Sequence, residues 1–194
     1  MYWILLRNQI PNISDGFGRY AIIDEDNFSE DIDYTELTWG KHKNEQNIHY
    51  LHGALPFFDT GSSIVKEEYN GEYLLRNIEN RIDNDEYPIF VTAGPGEDKL
   101  IQIKHNSYLS FCYDKLSTIT GSLITYGFNF GEYDDHIINA INYANQLRPE
   151  GKLYSIYIGI FSEEDKRHID SIKHKFKCKV NMFDSRTTDI WKKD

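Results

Sequence analysis

Two spacings of apolar residues alternate along the chain and predict both strands and helices. A near-continuous apolar run occupies Leu153–Ile160, and shorter, mainly apolar segments occupy residues 87–92, 122–126 and 180–183. Such runs are typical of strands that are covered on both faces of a sheet. Between them, apolar residues recur at helical spacing over residues 133–147, whose inward-facing positions are Ile137, Ile138, Ile141 and Ala144.

Weaker patterns complete the prediction. Ser162 followed three residues later by Asp165 indicates the N-terminal cap of another helix. Helices are also expected over residues 67–82, 97–103 and 108–119, the first interrupted near residues 70–71. The remaining predictions are a helix end at residues 2–8, a turn at 15–18, a short strand at 19–23, an acidic loop at 24–33, a strand that ends at His52 and a loop at 56–63.

Strands that alternate with helices predict an α/β fold with a mostly parallel sheet and helices on both faces, a Rossmann-like arrangement. With 194 residues, of which 40% are hydrophobic, the chain is long enough to bury a core. We therefore expect one domain over residues 1–194.

Charge and cysteine content narrow the classes of function. The net charge is −10 and no block of Lys and Arg is present, which disfavours nucleic acid as a partner. The most basic segment, 173–179, is interpreted as a helix end. Cys112 and Cys178 lie far apart, which excludes a cysteine-based zinc site and disfavours a disulfide framework. No apolar run reaches membrane-spanning length, so we expect a soluble, cytoplasmic protein without a membrane partner.

Two segments carry candidate chemistry. In the first, a predicted strand ends at His52 and is followed by Gly53; in the second, a strand leads through Gly127 into a helix start at residues 134–136. Ligands of open α/β sheets bind beyond the carboxyl ends of the strands, so both segments are expected to face one cleft. His52 could act as a general base because the pKa of imidazole lies near neutrality, and Gly53 would allow close ligand approach. A histidine that is only hydrogen-bonded in a polar cleft explains the pattern equally well.

The second segment also has two interpretations. Asn129 could hydrogen-bond a ribose, and the backbone of residues 127–131 could approach a phosphate at a helix N-terminus. A strand-to-helix turn in which asparagine tolerates a positive φ is the alternative. Asp134 could contact ribose or simply cap the helix. His136 beside it is not expected to hold a metal, because adjacent helix residues diverge, and His168 is assigned to the surface or to packing.

The ordered set of these segments resembles the sirtuin-like, NAD-consuming superfamily. The matching segments are 50–55, 88–94, 97–100, 127–130 and 134–137. The nearest match is a bacterial branch described as a domain of unknown function, related to sirtuin-like anti-phage NADases. The resemblance extends from about residue 2 to residue 191.

The resemblance implies roles for several residues. His52 would be the catalytic histidine, and NAD would be the ligand or substrate. Gly53, Gly127, Phe128, Asn129 and Asp134 would line the cofactor site near its ADP-ribose part. The chain departs from the family pattern in lacking the first strand, the glycine-rich phosphate loop and the asparagine motif. It therefore resembles the C-terminal part of the domain, truncated at its N-terminus.

Two functions follow as hypotheses. The chain is either an NAD⁺ glycohydrolase with His52 as base and a role in anti-phage defence, or a non-catalytic nucleotide- or partner-binding remnant of that fold. Because a partial sheet exposes an edge strand and apolar surface, we expect a homo-oligomer or complementation by an N-terminal partner fragment.

Overall fold

The computed structural model describes residues 11–22, 34–68, 73–91, 94–147 and 152–188. The fold separates into two compact units, Met1–Thr92 and Ala93–Asp194. The predicted helix end at residues 2–8, the acidic loop at 24–33 and the helix interruption near residues 70–71 lie outside the described residues. Among the described residues, no helix is long and apolar enough to cross a membrane.

The first unit contains a five-stranded sheet in which every neighbouring pair of strands is antiparallel. The strands are β1 (Phe17–Gly18), β2 (Leu37–Trp39), β3 (Gly53–Asp59), β4 (Ile64–Lys66) and β5 (Pro88–Phe90). The order across the sheet is β1-β2-β4-β3-β5. A 3₁₀ turn at Lys43–Glu45 and helix α1 (Leu74–Asp83) accompany the sheet.

Helix α1 closes the core of the first unit. Its Leu74 and Ile78 pack on Phe58 and Val65 of the sheet. At the end of the helix, Arg81 forms ion pairs with three glutamates, Glu36, Glu67 and Glu86. Burial alone would lower the pKa of Arg81, but its hydrogen bonds with Glu67 and Glu86 outweigh that effect and raise the pKa above its ordinary value.

The elements of the second unit are α2 (Gly96–His105), α3 (Ser107–Ser117), β6 (Gly121–Thr125), α4 (Asp135–Gln146), β7 (Leu153–Ile160), α5 (Glu163–Ile172) and β8 (Lys179–Asp184). The three strands form a separate sheet in the order β6-β7-β8, and both of its pairings are parallel. Helix α4 connects β6 to β7, and helix α5 connects β7 to β8. The 3₁₀ turns Lys173–Lys175 and Ser185–Thr187 follow α5 and β8.

The prediction of a mostly parallel, Rossmann-like sheet is wrong, because the larger sheet is antiparallel and only β6, β7 and β8 are parallel. For the pair of β3 and β4, the physical reason is the length of the connection. Only residues 60–63 separate β3 from β4, whereas a parallel pair needs a crossover of roughly a dozen residues or more.

Three local predictions in the first unit also fail. No strand ends at His52; the strand begins one residue later, at Gly53. The predicted loop at 56–63 belongs to β3 up to Asp59. Pro56 is tolerated within β3 because the pairing with β5 shifts register between Gly53 and Phe58, so no regular ladder requires its missing N–H there. The strand predicted at 19–23 is reduced to an isolated bridge between Ala21 and Tyr34.

Predictions in the second unit are largely confirmed. The capping box of α5 is present, with Ser162 Oγ accepting from the Asp165 N–H and the Asp165 carboxylate accepting from the Ser162 N–H. The four residues expected to face inward on α4 are buried. Strand β7 has the expected bounds, but Tyr154 and Tyr157, which point to opposite faces of the sheet, are exposed, so each face of the strand is only partly covered.

Candidate functional site

A cleft lies at the carboxyl edge of the parallel sheet in the second unit. In this sheet Thr125 of β6 pairs with Ile158, and Ile160 at the end of β7 pairs with Asp184 at the end of β8. The three strands therefore end on the same side. This is the edge at which ligands of open α/β sheets bind.

The cleft encloses about 250 Å³ and combines an apolar wall with charged groups. Four of its residues are apolar or aromatic, and Phe161 is among the most exposed large hydrophobic side chains, at 68%. The lining consists of Ile160, Phe161, Ser162, Glu163, Lys166, Met182, Phe183, Asp184 and Arg186. Whole small-molecule ligands usually occupy pockets of about 300–1,000 Å³, so this cleft suits part of a larger ligand.

An ionised carboxylate stands at the mouth of the cleft. Asp184 Oδ1 accepts from Arg186 Nε at 2.9 Å, and Asp184 Oδ2 accepts from Arg186 Nη2 at 2.8 Å. The hydrogen bonds from the Arg186 side chain and backbone lower the pKa of Asp184 to about 2. Asp184 is therefore an acceptor at every physiological pH.

The N-terminus of α5, beside the cleft, already holds an anionic group. Asp165 Oδ2 accepts from the N–H groups of Ser162 and Phe161, at 2.9 and 3.2 Å. The Ser162 hydrogen bond lowers the pKa of Asp165. Because Glu163 and Glu164 also lie in this first turn, a phosphate would meet negative charge here, whereas hydroxyl donors would meet acceptors.

The turn that follows β6 has an unusual backbone. Gly127 has φ +65° and Phe130, although not glycine, has φ +48°. The Phe130 ring is 2% exposed and contacts the rings of Phe128 and Phe176 edge to face, with centroids 4.7 and 5.2 Å away. These aromatic contacts hold Phe130 in its positive φ, while the neighbouring Asn129 is exposed.

His168 of α5 contacts this turn directly. Its Nε2 lies 2.9 Å from the carbonyl oxygen of Asn129 and 3.2 Å from that of Phe130. Because both partners are carbonyl oxygens, which only accept, Nε2 must carry the proton. The sequence assigned His168 to the surface or to packing, and the contact shows a specific attachment between α5 and the turn.

Asp134 lies in the second unit with Gly127, Phe128 and Asn129, but its carboxylate is engaged within the protein. Its Oδ1 is 3.2 Å from Lys99 Nζ, and its Oδ2 accepts from the Gly131 N–H at 3.1 Å. Asp134 occupies the N-cap position of α4, but its side chain makes no cap hydrogen bond there, so the carboxylate closes the turn before α4 instead of capping the helix.

His52 and Gly53 belong to the first unit. His52 is partly buried in the turn before β3, and its carbonyl oxygen accepts from the Val91 N–H at 2.9 Å. Gly53 has φ +75°, and a Cβ placed there would come within 2.0 Å of the Ile89 carbonyl oxygen. The close approach at Gly53 is therefore with the protein's own backbone.

In the described part of the chain, no group of three or more His, Cys, Asp or Glu side chains could hold a metal ion. His136 is 1% exposed in the first turn of α4. Its carbonyl oxygen accepts from the Tyr113 hydroxyl at 2.9 Å, and burial raises the pKa of that hydroxyl.

A family model described as a domain of unknown function, DUF4917, matches residues 1–191. The chain belongs to this family. No curated protein and no solved structure matches the chain. The resemblance to sirtuin-like NAD-consuming proteins thus stays a prediction.

The sequence did not indicate Phe161, Asp184, Arg186 or His168 as site residues. One signal could have found the first three, because Phe161 directly follows β7, and Asp184 and Arg186 lie where β8 ends. His168 lies 39 positions after Asn129 and 38 after Phe130 in the sequence, so no local sequence pattern indicates their contact.

Proposed function

We propose that this member of the DUF4917 family binds NAD, with the adenosine half of the dinucleotide in the cleft beyond β7 and β8. The observation that carries the proposal is the lining of that cleft, where aromatic and apolar side chains lie beside acidic and basic ones, among them Asp184 and Arg186. The cleft volume of about 250 Å³ fits one half of a dinucleotide better than the whole.

Each part of adenosine has a chemical counterpart in the cleft. The exposed Phe161 ring and Met182 offer an apolar surface on which a purine can stack. The Asp184 carboxylate accepts three hydrogen bonds from Arg186, two at Oδ1 and one at Oδ2, so Oδ2 retains a position that can accept from a ribose hydroxyl group. An acidic side chain on the ribose hydroxyl is how dinucleotide-binding sheets recognise NAD.

The turn at residues 127–131 supplies a second contact. It follows β6 at the same edge of the sheet, and Asn129 is exposed at its tip. The sequence resemblance implies that this turn lies near the ADP-ribose part of the cofactor. We assign Asn129 to the ribose-phosphate side of the ligand.

Hydrolysis of NAD is the catalytic form of the proposal. His52 would take a proton from a ribose hydroxyl or from water while the nicotinamide glycosidic bond breaks. The support for this role is the resemblance around His52-Gly53 and the partial exposure of His52.

Binding without hydrolysis is the second candidate, and two observations favour it. The contact with Ile89 accounts for Gly53 without a ligand. The carboxylate of Asp134 is already bound by Lys99 and the Gly131 N–H. Neither residue then needs a catalytic role.

Calorimetric titration with NAD, AMP and nicotinamide mononucleotide tests the binding proposal. We expect NAD and AMP to bind, the mononucleotide to bind much more weakly, and Asp184→Asn to weaken NAD about tenfold to a hundredfold through loss of charge-assisted hydrogen bonds. Asp170→Asn is the matched control, since Asp170 is a surface acid of α5 paired with Lys173. Equal affinity of the Asp184 variant and the wild type would contradict the proposed site.

NAD consumption by the same samples separates the two candidates. Turnover in the wild type and its loss in His52→Ala supports hydrolysis with His52 as base. Binding without turnover, at protein concentrations where the oligomeric state is measured in parallel, identifies a binding module.

A further inference from the structure

The turn after β6 is fixed at two neighbouring peptides by two different means. On one side, the buried Phe130 ring is held between Phe128 and Phe176. On the other side, the exposed Asn129 places its carbonyl oxygen 2.9 Å from His168 Nε2. The aromatic cluster holds the Phe130 side chain, and the imidazole holds the carbonyl oxygens of Asn129 and Phe130.

We infer that His168 is a positioning residue, which holds the Asn129 peptide in the conformation that meets the nucleotide. This inference rests on the proposed function, because it assigns to His168 the presentation of Asn129 to the ligand. His168 itself need not contact the ligand; it acts through the two carbonyl oxygens of the turn.

The geometry of the contact explains why a histidine serves here. A single Nε2–H lies within reach of two successive carbonyl oxygens, at 2.9 and 3.2 Å. A three-centre hydrogen bond of this kind fixes the relative orientation of both peptides. It also ties the turn to α5, the helix whose first turn lines the adenosine cleft.

The position of His168 predicts that its loss affects binding more than folding. The Phe130 side chain remains buried in the aromatic cluster, and the capping box still begins α5. Loss of the imidazole therefore releases the Asn129 peptide to other conformations. A ligand must then restrict that freedom on binding, which weakens its affinity.

Two substitutions distinguish positioning from a general structural role. His168→Ala removes the donor. His168→Gln restores an N–H donor at nearly the same place as Nε2, since the glutamine amide has two donors. His174→Ala is the matched control, because His174 is an exposed histidine in the 3₁₀ turn after α5.

The experiment measures NAD affinity and thermal unfolding for the wild type and the three variants. We expect His168→Ala to weaken NAD about fivefold to tenfold, His168→Gln to restore most of the affinity, and His174→Ala to leave it unchanged. Unfolding temperatures should stay close together. In addition, nitrogen chemical shifts of His168 should show the tautomer protonated at Nε2.

The outcomes separate this inference from the proposed function. If the wild type does not bind NAD, the proposed function fails and the inference fails with it. If the wild type binds and His168→Ala binds equally well, only the inference is overturned. Failure of His168→Gln to restore affinity, with both variants equally destabilised, would also overturn it by showing a structural role.

Discussion

Replacement of Gly53 by alanine tests the structural role that the backbone assigns to this residue. Two costs combine at this position. A φ of +75° places an alanine in the left-handed region, which costs about 1–2 kcal/mol. In addition, the new Cβ would lie 2.0 Å from the Ile89 carbonyl oxygen, so backbone must move by more than about 1 Å to reach ordinary contact.

The second cost falls on the pairing of β3 with β5. Gly53 pairs with Phe90, and the adjacent Val91 N–H donates to the His52 carbonyl oxygen at 2.9 Å. Displacing Ile89 disturbs these bonds, each worth about 1 kcal/mol. We therefore expect Gly53→Ala to lower the free energy of unfolding by about 3 kcal/mol or more.

Gly61→Ala is the matched control. Gly61 has φ +81° in the turn between β3 and β4, and nothing lies within 4 Å of a Cβ placed there. This variant bears only the conformational cost of about 1–2 kcal/mol. The difference between the two variants isolates the clash with Ile89.

Urea unfolding followed by circular dichroism and by tryptophan fluorescence measures both variants, with Trp39 as a reporter in β2 of the first unit. Equal destabilisation by the two substitutions would refute the close approach of Gly53 to Ile89. Unchanged stability of Gly53→Ala together with lost NAD binding would instead restore the interpretation of Gly53 as a site for ligand approach.

Three further predictions concern the second unit. Ser162→Ala should lower the free energy of unfolding by about 1 kcal/mol through loss of the α5 cap. The pKa of Asp165 is lowered in the folded state, so its stabilising contribution is complete above its ordinary pKa of about 4 and is lost as pH falls through the lowered value. Urea titrations between pH 6 and 2 should therefore show that the free energy of unfolding falls less steeply with pH for Asp165→Asn than for the wild type. Identical slopes for the two proteins would contradict the cap. Cys112 and Cys178 are buried and burial raises the pKa of Cys178, so a thiol reagent such as dithionitrobenzoate should label neither in the native protein at pH 8 and both in urea, whereas rapid native labelling would contradict this packing.

The second unit was predictable because its signals are local. The apolar run Leu153–Ile160 forms a strand with those bounds, and Ser162 with Asp165 caps the next helix as expected. In both cases the residues that carry the pattern are also the residues that make the contact.

The first unit was not predictable to the same degree, because its strands are short and paired across the sequence. Strands β2 and β4 have three residues each and pair with one another across more than twenty intervening residues. A period of two cannot be recognised over three positions. Pro56 added a misleading turn signal, since the local shift in register that admits it is a tertiary feature.

The candidate site shows the same division. Gly127 and Asn129 were proposed from the sequence because a strand, a glycine and a helix start follow one another; their role in binding stays a prediction. The cleft beyond β7 and β8 was missed because Phe161, directly after β7, and Asp184, at the end of β8, line one cleft only when the two strands pair.

The most direct test of the proposed nucleotide site is a ¹H–¹⁵N correlation spectrum of the labelled protein, recorded during titration with AMP. We predict shifts in residues 160–163 and 182–184 and in Arg186, which line the cleft, and smaller shifts in residues 127–130 of the turn. An absence of shifts at saturating AMP, or shifts confined to residues of the first unit around His52, would contradict a nucleotide site at the carboxyl edge of the parallel sheet.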